Sequence, residues 1–101
     1  MEASKETLGQ YLRRLREARN LTGQAVVDGT GISNSSVTFY EQGRSLPSPP
    51  FLEKVIEFLG GDFEYAWALW LKKAGVQNVD IPTPQDGLPL QPPLPTTEDT
   101  L

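Results

Sequence analysis

Apolar residues recur at helical spacing through residues 1–75, in runs punctuated by glycines and capping residues. Leu8, Tyr11, Leu12 and Leu15 stand at i, i+3, i+4 and i+7, which places them on one face of a first helix. Thr7-x-x-Gln10 is a capping-box pattern and predicts that this helix starts near Thr7. Thr22 can cap a second helix carrying Ala25, Val26 and Val27, and Gly31 permits the left-handed backbone of a sharp turn. Ser33 can cap a third helix, whose apolar face is Val37 and Tyr40 and whose other side is short and polar: Asn34, Ser35, Ser36 and Thr38. Gly43 is placed to stop it. Ser48-Pro49-Pro50 opens a fourth helix with Phe51, Leu52, Val55, Ile56 and Leu59 on its apolar face, extended by Phe58. Gly60-Gly61 then breaks the chain and Asp62 caps a fifth helix, FEYAWALWLKKAG.

That last helix departs from the pattern. From Phe63 to Leu71 only Glu64 is charged, and the apolar residues surround the helix instead of lining one side. Such a helix needs more than one surface to bury against. A small domain covers one face, for which Phe63, Ala66, Trp67 and Trp70 are the expected residues. Tyr65, Leu69 or one of the tryptophans, Trp67 and Trp70, is then left for a partner. Aromatic anchors are common at interface centres, so a homodimer or other protein contact through helices 4 and 5 is expected. The competing reading is that both tryptophans complete the monomer core.

Composition narrows the function. The chain has 101 residues, enough for one small domain. A bundle of about 65–75 residues is near the lower limit for a self-sufficient core. Cysteine and histidine are both missing, which removes thiolate metal sites, disulfides and the usual nucleophile–base pairs. No catalytic residue, metal or cofactor is expected. No apolar run approaches a membrane span, and the N-terminus lacks the order of a signal peptide, so the expected compartment is the cytoplasm. Residues 1–75 hold all nine Lys and Arg and nine of the thirteen acidic residues, giving a neutral domain. From Val76 onward come six prolines and the four acids Asp80, Asp86, Glu98 and Asp99, with no basic residue. Residues 76–101 are therefore expected to form a disordered, acidic, Pro-rich tail that either only aids solubility or engages a partner or a basic surface.

A helix pair joined by a glycine turn is the design that presents its second helix to the DNA major groove. Leu12 and Leu15, Leu21-Thr22, Gly31-Ile32-Ser33, Glu41-x-Gly43-Arg44, Pro47-Ser48 and Leu59-Gly60 follow in one register. Together they resemble the Cro/phage-repressor-like helix-turn-helix domain (XRE type), without gaps from about Leu8 to Leu71. The resemblance implies an all-α fold, a compact five-helix, lambda-repressor-like bundle with the helix-turn-helix at its centre.

It also implies a site. Asn34, Ser35 and Thr38 would read base edges, with Ser36 near a phosphate. Asparagine can pair bidentately with adenine, and serine with several bases. Phe39 lies one turn beyond Ser35; packing on a thymine methyl and partial burial against a loop both remain open. Arg44 stands where the family places a phosphate clamp. Family members often carry a phosphate-contacting glutamine where this chain has Gly23, with Gln24 one place later. Gly29-Thr30 replaces a helix former and a core leucine, so helix 2 is expected to be short and lightly packed. Arg13, Arg14, Arg16 and Arg19 form either a basic surface on helix 1 or a solvated face that suits the helix dipole. By the resemblance, Arg16 instead pairs with Glu41 as a structural ion pair.

The expected function is a sequence-specific DNA-binding transcriptional regulator, a repressor, acting as a homodimer on double-stranded DNA. Helix 3 carries no Lys or Arg, so affinity for DNA as a monomer should be weak. The alternative is a protein-interaction module on the same fold, an adaptor or antitoxin-like partner acting through helix 5 and the tail. An enzyme is disfavoured, because Glu53, Glu57, Asp62 and Glu64 have helix-surface spacing without an aligned nucleophile or metal-ligand set.

Overall fold

Capping chemistry sets the helix ends in the computed structural model, which describes residues 6–87. Among these residues there are five α-helices and no strand: α1 Leu8–Ala18, α2 Gly23–Thr30, α3 Asn34–Gln42, α4 Pro49–Leu59 and α5 Phe63–Lys73. Both halves of the Thr7–Gln10 capping box form. Thr22 accepts from the Ala25 N–H, and Asp62 accepts from Glu64 and Tyr65. Ser48 occupies the N-cap of α4, yet its hydroxyl caps nothing. The first two helical residues are prolines, which offer no N–H to accept from. No described helix is long and apolar enough to cross a membrane.

The core gathers Leu8, Tyr11, Leu12 and Leu15 of α1, Val26, Ile32, Val37 and Tyr40 of the helix-turn-helix, and Leu52, Val55, Ile56 and Leu59 of α4. α1 reaches α3 closely because Gly9 has no side chain: a Cβ there would stand 2.5 Å from the Glu41 carbonyl oxygen and 2.6 Å from that of Tyr40. α2 is short, as expected. Its buried Thr30 satisfies itself locally, donating to the Val26 carbonyl at 2.7 Å and accepting from the Ile32 N–H at 3.2 Å. Gly29 leaves room for the Phe58 ring of α4, which lies where a Cβ would stand. A small apolar cavity of about 10 Å³ lies between Leu12, Val26, Val37, Tyr40, Val55 and Leu59, where α2 contributes a short valine.

α5 is turned differently from the expectation. Tyr65, Ala66, Ala68 and Leu69 face inward, with Tyr65 only 1% exposed, so Tyr65 and Leu69 are core residues rather than partner contacts. Two alanines let α5 approach the bundle more closely than two indoles would. Tyr65 can be buried because its hydroxyl donates to Glu6 at 2.7 Å and its ring meets Tyr11 edge-on, centroids 4.7 Å apart. Phe63, expected inside, is 39% exposed. Trp67 and Trp70 are half-buried.

The chain beyond α5 also differs from its reading as tail. Residues up to 87 return over the bundle rather than leaving it. Ile81 packs against the core, and the Gln85 N–H donates to the Asp62 carboxylate at 2.7 Å. Tyr11 donates to Asp86 at 2.6 Å and accepts from the Asp62 N–H at 2.9 Å. Proline forbids helix here, but an extended strap needs only isolated side-chain anchors. The rest of the expected disordered tail, residues 88–101, lies outside the described residues.

Candidate nucleic-acid interface

The helix-turn-helix is built around two left-handed glycines. Gly31, φ 76°, closes α2 by donating to the Val27 carbonyl at 2.8 Å. Gly43, also φ 76°, closes α3, where the Arg44 N–H then bonds the Phe39 carbonyl at 2.9 Å. Between them Ser33 caps α3. Its oxygen accepts from the Ser36 N–H at 3.2 Å and its hydroxyl donates to the Ser36 hydroxyl at 2.9 Å.

With Val37 and Tyr40 buried, α3 presents Asn34, Ser35, Thr38 and Phe39 to solvent. Gln42 shares that exposed line, four residues beyond Thr38 and seven beyond Ser35, and the sequence reading missed it. Helical spacing from Ser35 was the signal that would have found it. Ser36 sits at the edge, half-buried and engaged with the cap. Phe39 is 41% exposed, and the Arg44 guanidinium lies 5.5 Å from its ring centroid, a cation–π contact. Arg44 is itself exposed. A second cation, which no local spacing could reveal, arrives from the end of α5: Lys73 Nζ lies 3.8 Å from where a Cβ on Gly43 would stand. Gln24 is exposed on α2, but its amide donates to Asp28 at 3.0 Å, within its own helix.

The arginines of α1 are committed elsewhere. Arg13 pairs with Glu17 at 2.9 Å, on the exposed side of the helix. Arg14 forks onto Glu6 at 2.7 and 3.1 Å and lies over the Tyr11 ring, 5.0 Å from its centroid. Burial opposes its charge, but the Glu6 bonds outweigh burial and the Arg14 pKa rises. Arg19 lies against Gly60. Arg16 forks onto Glu41 at 2.7 and 3.0 Å and donates to the Leu21 carbonyl at 2.9 Å. The expected ion pair is therefore present, 16% and 15% exposed, and ties α1, the following loop and the end of α3 together. Its hydrogen bonds raise the Arg16 pKa. The basic-surface reading of α1 is thus displaced by internal pairing for Arg14 and Arg16, while Arg44 lies over Phe39 of α3 and Lys73 of α5 comes near Gly43.

No curated protein and no solved structure matches the chain. A family model described as a helix-turn-helix domain matches residues 7–64, more than half of the chain and all of α1 to α4. Glycine turn, capped α3 and Glu41-x-Gly43-Arg44 exit lie inside that match, and the chain belongs to the helix-turn-helix domain family, of the Cro-like kind its landmarks resemble.

Proposed function

We propose that the chain is a sequence-specific DNA-binding transcriptional regulator, a repressor, that lays α3 in the major groove. The observation that carries this reading is the exposed line of Asn34, Ser35, Thr38 and Phe39, with Arg44 held at its end over Phe39. Asparagine and the hydroxyls supply base-edge donors and acceptors, and the outward part of Phe39 can meet a thymine methyl. Arg44 and Lys73 would take phosphates flanking the groove, and Ser36 and Gln24 would serve at its margin. Two copies on half-sites about 34 Å apart would compensate for the few cations each brings. They would meet through α5, where Trp67 and Trp70 remain partly exposed.

Selection of genomic fragments by the purified protein at two salt concentrations tests this. A palindromic consensus that survives moderate salt is expected, and Arg44→Ala should weaken binding to all sequences while lowering the salt slope by about one. Asn34→Ala should relax selectivity at one position of each half-site. Weak binding without a consensus would sink the proposal. It would favour a protein-interaction module instead, a reading supported by the exposed Phe63 of α5 and the parts of Trp67 and Trp70 that the core leaves uncovered.

A further inference from the structure

Gly43 turns the chain back over the last turn of α3. Its φ of 76° is left-handed, the Arg44 N–H donates to the Phe39 carbonyl at 2.9 Å, and the Gly43 N–H donates to the Tyr40 carbonyl at 3.2 Å. These two bonds make a Schellman turn, which sets the residue after the glycine against the residue five before it. An apolar side chain commonly fills that seat. The end of α5 repeats the turn with Val76, whose N–H donates to the Leu71 carbonyl at 3.0 Å after Gly75 at φ 95°. In α3 the seat holds a cation instead: the Arg44 guanidinium lies 5.5 Å from the centre of the Phe39 ring.

Neither partner of this contact is claimed elsewhere. Glu41, the carboxylate three residues before Arg44, is taken by the fork of Arg16, and among the described residues no carboxylate pairs with Arg44. The ring is not part of the bundle's interior either. Phe39 is 41% exposed and stands outside the core, whose α3 members are Val37 and Tyr40. A ring face attracts a guanidinium without using its N–H donors, whereas a carboxylate would bond those donors and offset the charge. The contact also restrains a long side chain on the loop that follows α3. Such a side chain loses rotamer freedom when it grips a ligand, and one already held loses less.

We propose that Phe39 is a positioning residue for Arg44: its ring holds the guanidinium at the exit of α3, charged and with its donors open, for a DNA phosphate. The Arg16–Glu41 fork serves the same end by keeping the nearby carboxylate occupied. The positioning role rests on the regulator reading above, to which it adds how a phosphate-binding cation beside α3 is aimed. The ring contact itself stands on the turn geometry and is independent of that reading.

Phe39→Leu in the full-length protein tests this. Leucine keeps an apolar surface for a thymine methyl and removes the π face, and a site outside the core tolerates the change. In nuclear magnetic resonance spectra of the DNA-free protein, the Arg44 side-chain protons should be displaced upfield by the ring and return to ordinary positions in Phe39→Leu. Undisplaced protons in the unaltered protein would overturn the contact. On the tightest duplex recovered by the selection described above, Phe39→Leu should bind about two- to fivefold more weakly, the factor an exposed cation–π contact supplies. Its salt slope should fall part of the way toward that of Arg44→Ala. Phe39→Tyr, which keeps the ring, should bind as the unaltered protein does. In the Arg44→Ala background, Phe39→Leu should change affinity little. Equal losses in both backgrounds, with an unchanged salt slope, would overturn the positioning role and leave Phe39 as a direct contact alone. Displaced Arg44 protons in a protein that binds no duplex in any form would sink the regulator reading, and the positioning role with it, while the ring contact stood.

Discussion

Gly9 illustrates how one missing side chain sets the distance between two helices. A Cβ at this position meets backbone oxygens of Tyr40 and Glu41, which cannot rotate away. Gly9→Ala therefore should cost about 1–3 kcal/mol despite the better helix propensity of alanine, read as a lower midpoint in thermal or urea unfolding. Unchanged stability would mean that α1 can slide on α3. Glu41 is involved again at the neighbouring contact, where it holds Arg16. Arg16→Ala leaves that carboxylate partly buried without its fork and should cost about 3 kcal/mol. Because the pair sits at the exit of α3, a double-mutant cycle with Glu41→Gln should return a coupling of at least about 1 kcal/mol. Additive losses would show that the two side chains act separately.

The helix-turn-helix as an element depends on its turn. Gly31 has φ 76°, and a Cβ there would meet nothing within 4 Å, so any penalty is conformational rather than steric crowding. Gly31→Ala should cost about 1–2 kcal/mol, whereas Gly31→Asn, which tolerates this backbone region, should cost less. Equal losses would point to the loop's contacts instead. Turns and caps of this kind are local, which is why α1 to α4 and their ends are legible in the residues themselves. The outward line Asn34, Ser35, Thr38 and Phe39 follows from Val37 and Tyr40 by the same short-range geometry. What the sequence hides is decided across the fold. α5 is apolar on every side, so its own spacing cannot say which face turns in; the hydroxyl of Tyr65 finding Glu6, and Ala66 and Ala68 admitting close approach, decide it. Lys73 comes near the exit of α3 only because the end of α5 passes Gly43. Asp86 looked like one more acid in a Pro-rich stretch until Tyr11 of α1 engaged it.

At the scale of the whole molecule, two buried tyrosines fasten both ends of the described chain to the bundle. Tyr65 binds Glu6 ahead of α1, and Tyr11 binds Asp86 beyond α5. Burial raises both phenol pKa values above their ordinary value, and the hydrogen bonds to Glu6 and Asp86 raise them further. The unfolded chain, with phenols near the usual value of about 10, releases its protons first. Stability from this source is therefore complete below about pH 10 and is lost as pH rises toward the folded-state values. Urea unfolding followed from pH 8 to pH 11.5 should show a loss of stability beginning near pH 10. Tyr11→Phe and Tyr65→Phe should each flatten that alkaline limb. They should also lower stability at neutral pH, because each leaves a carboxylate without its phenol donor and Tyr11→Phe also leaves the Asp62 N–H without its acceptor. Tyr11→Phe should in addition loosen the strap at Asp86, read as faster amide exchange at Gln85, whose N–H bonds the adjacent Asp62. An alkaline limb unchanged in both variants would place the titration elsewhere and remove the two tyrosines as fasteners of the chain ends.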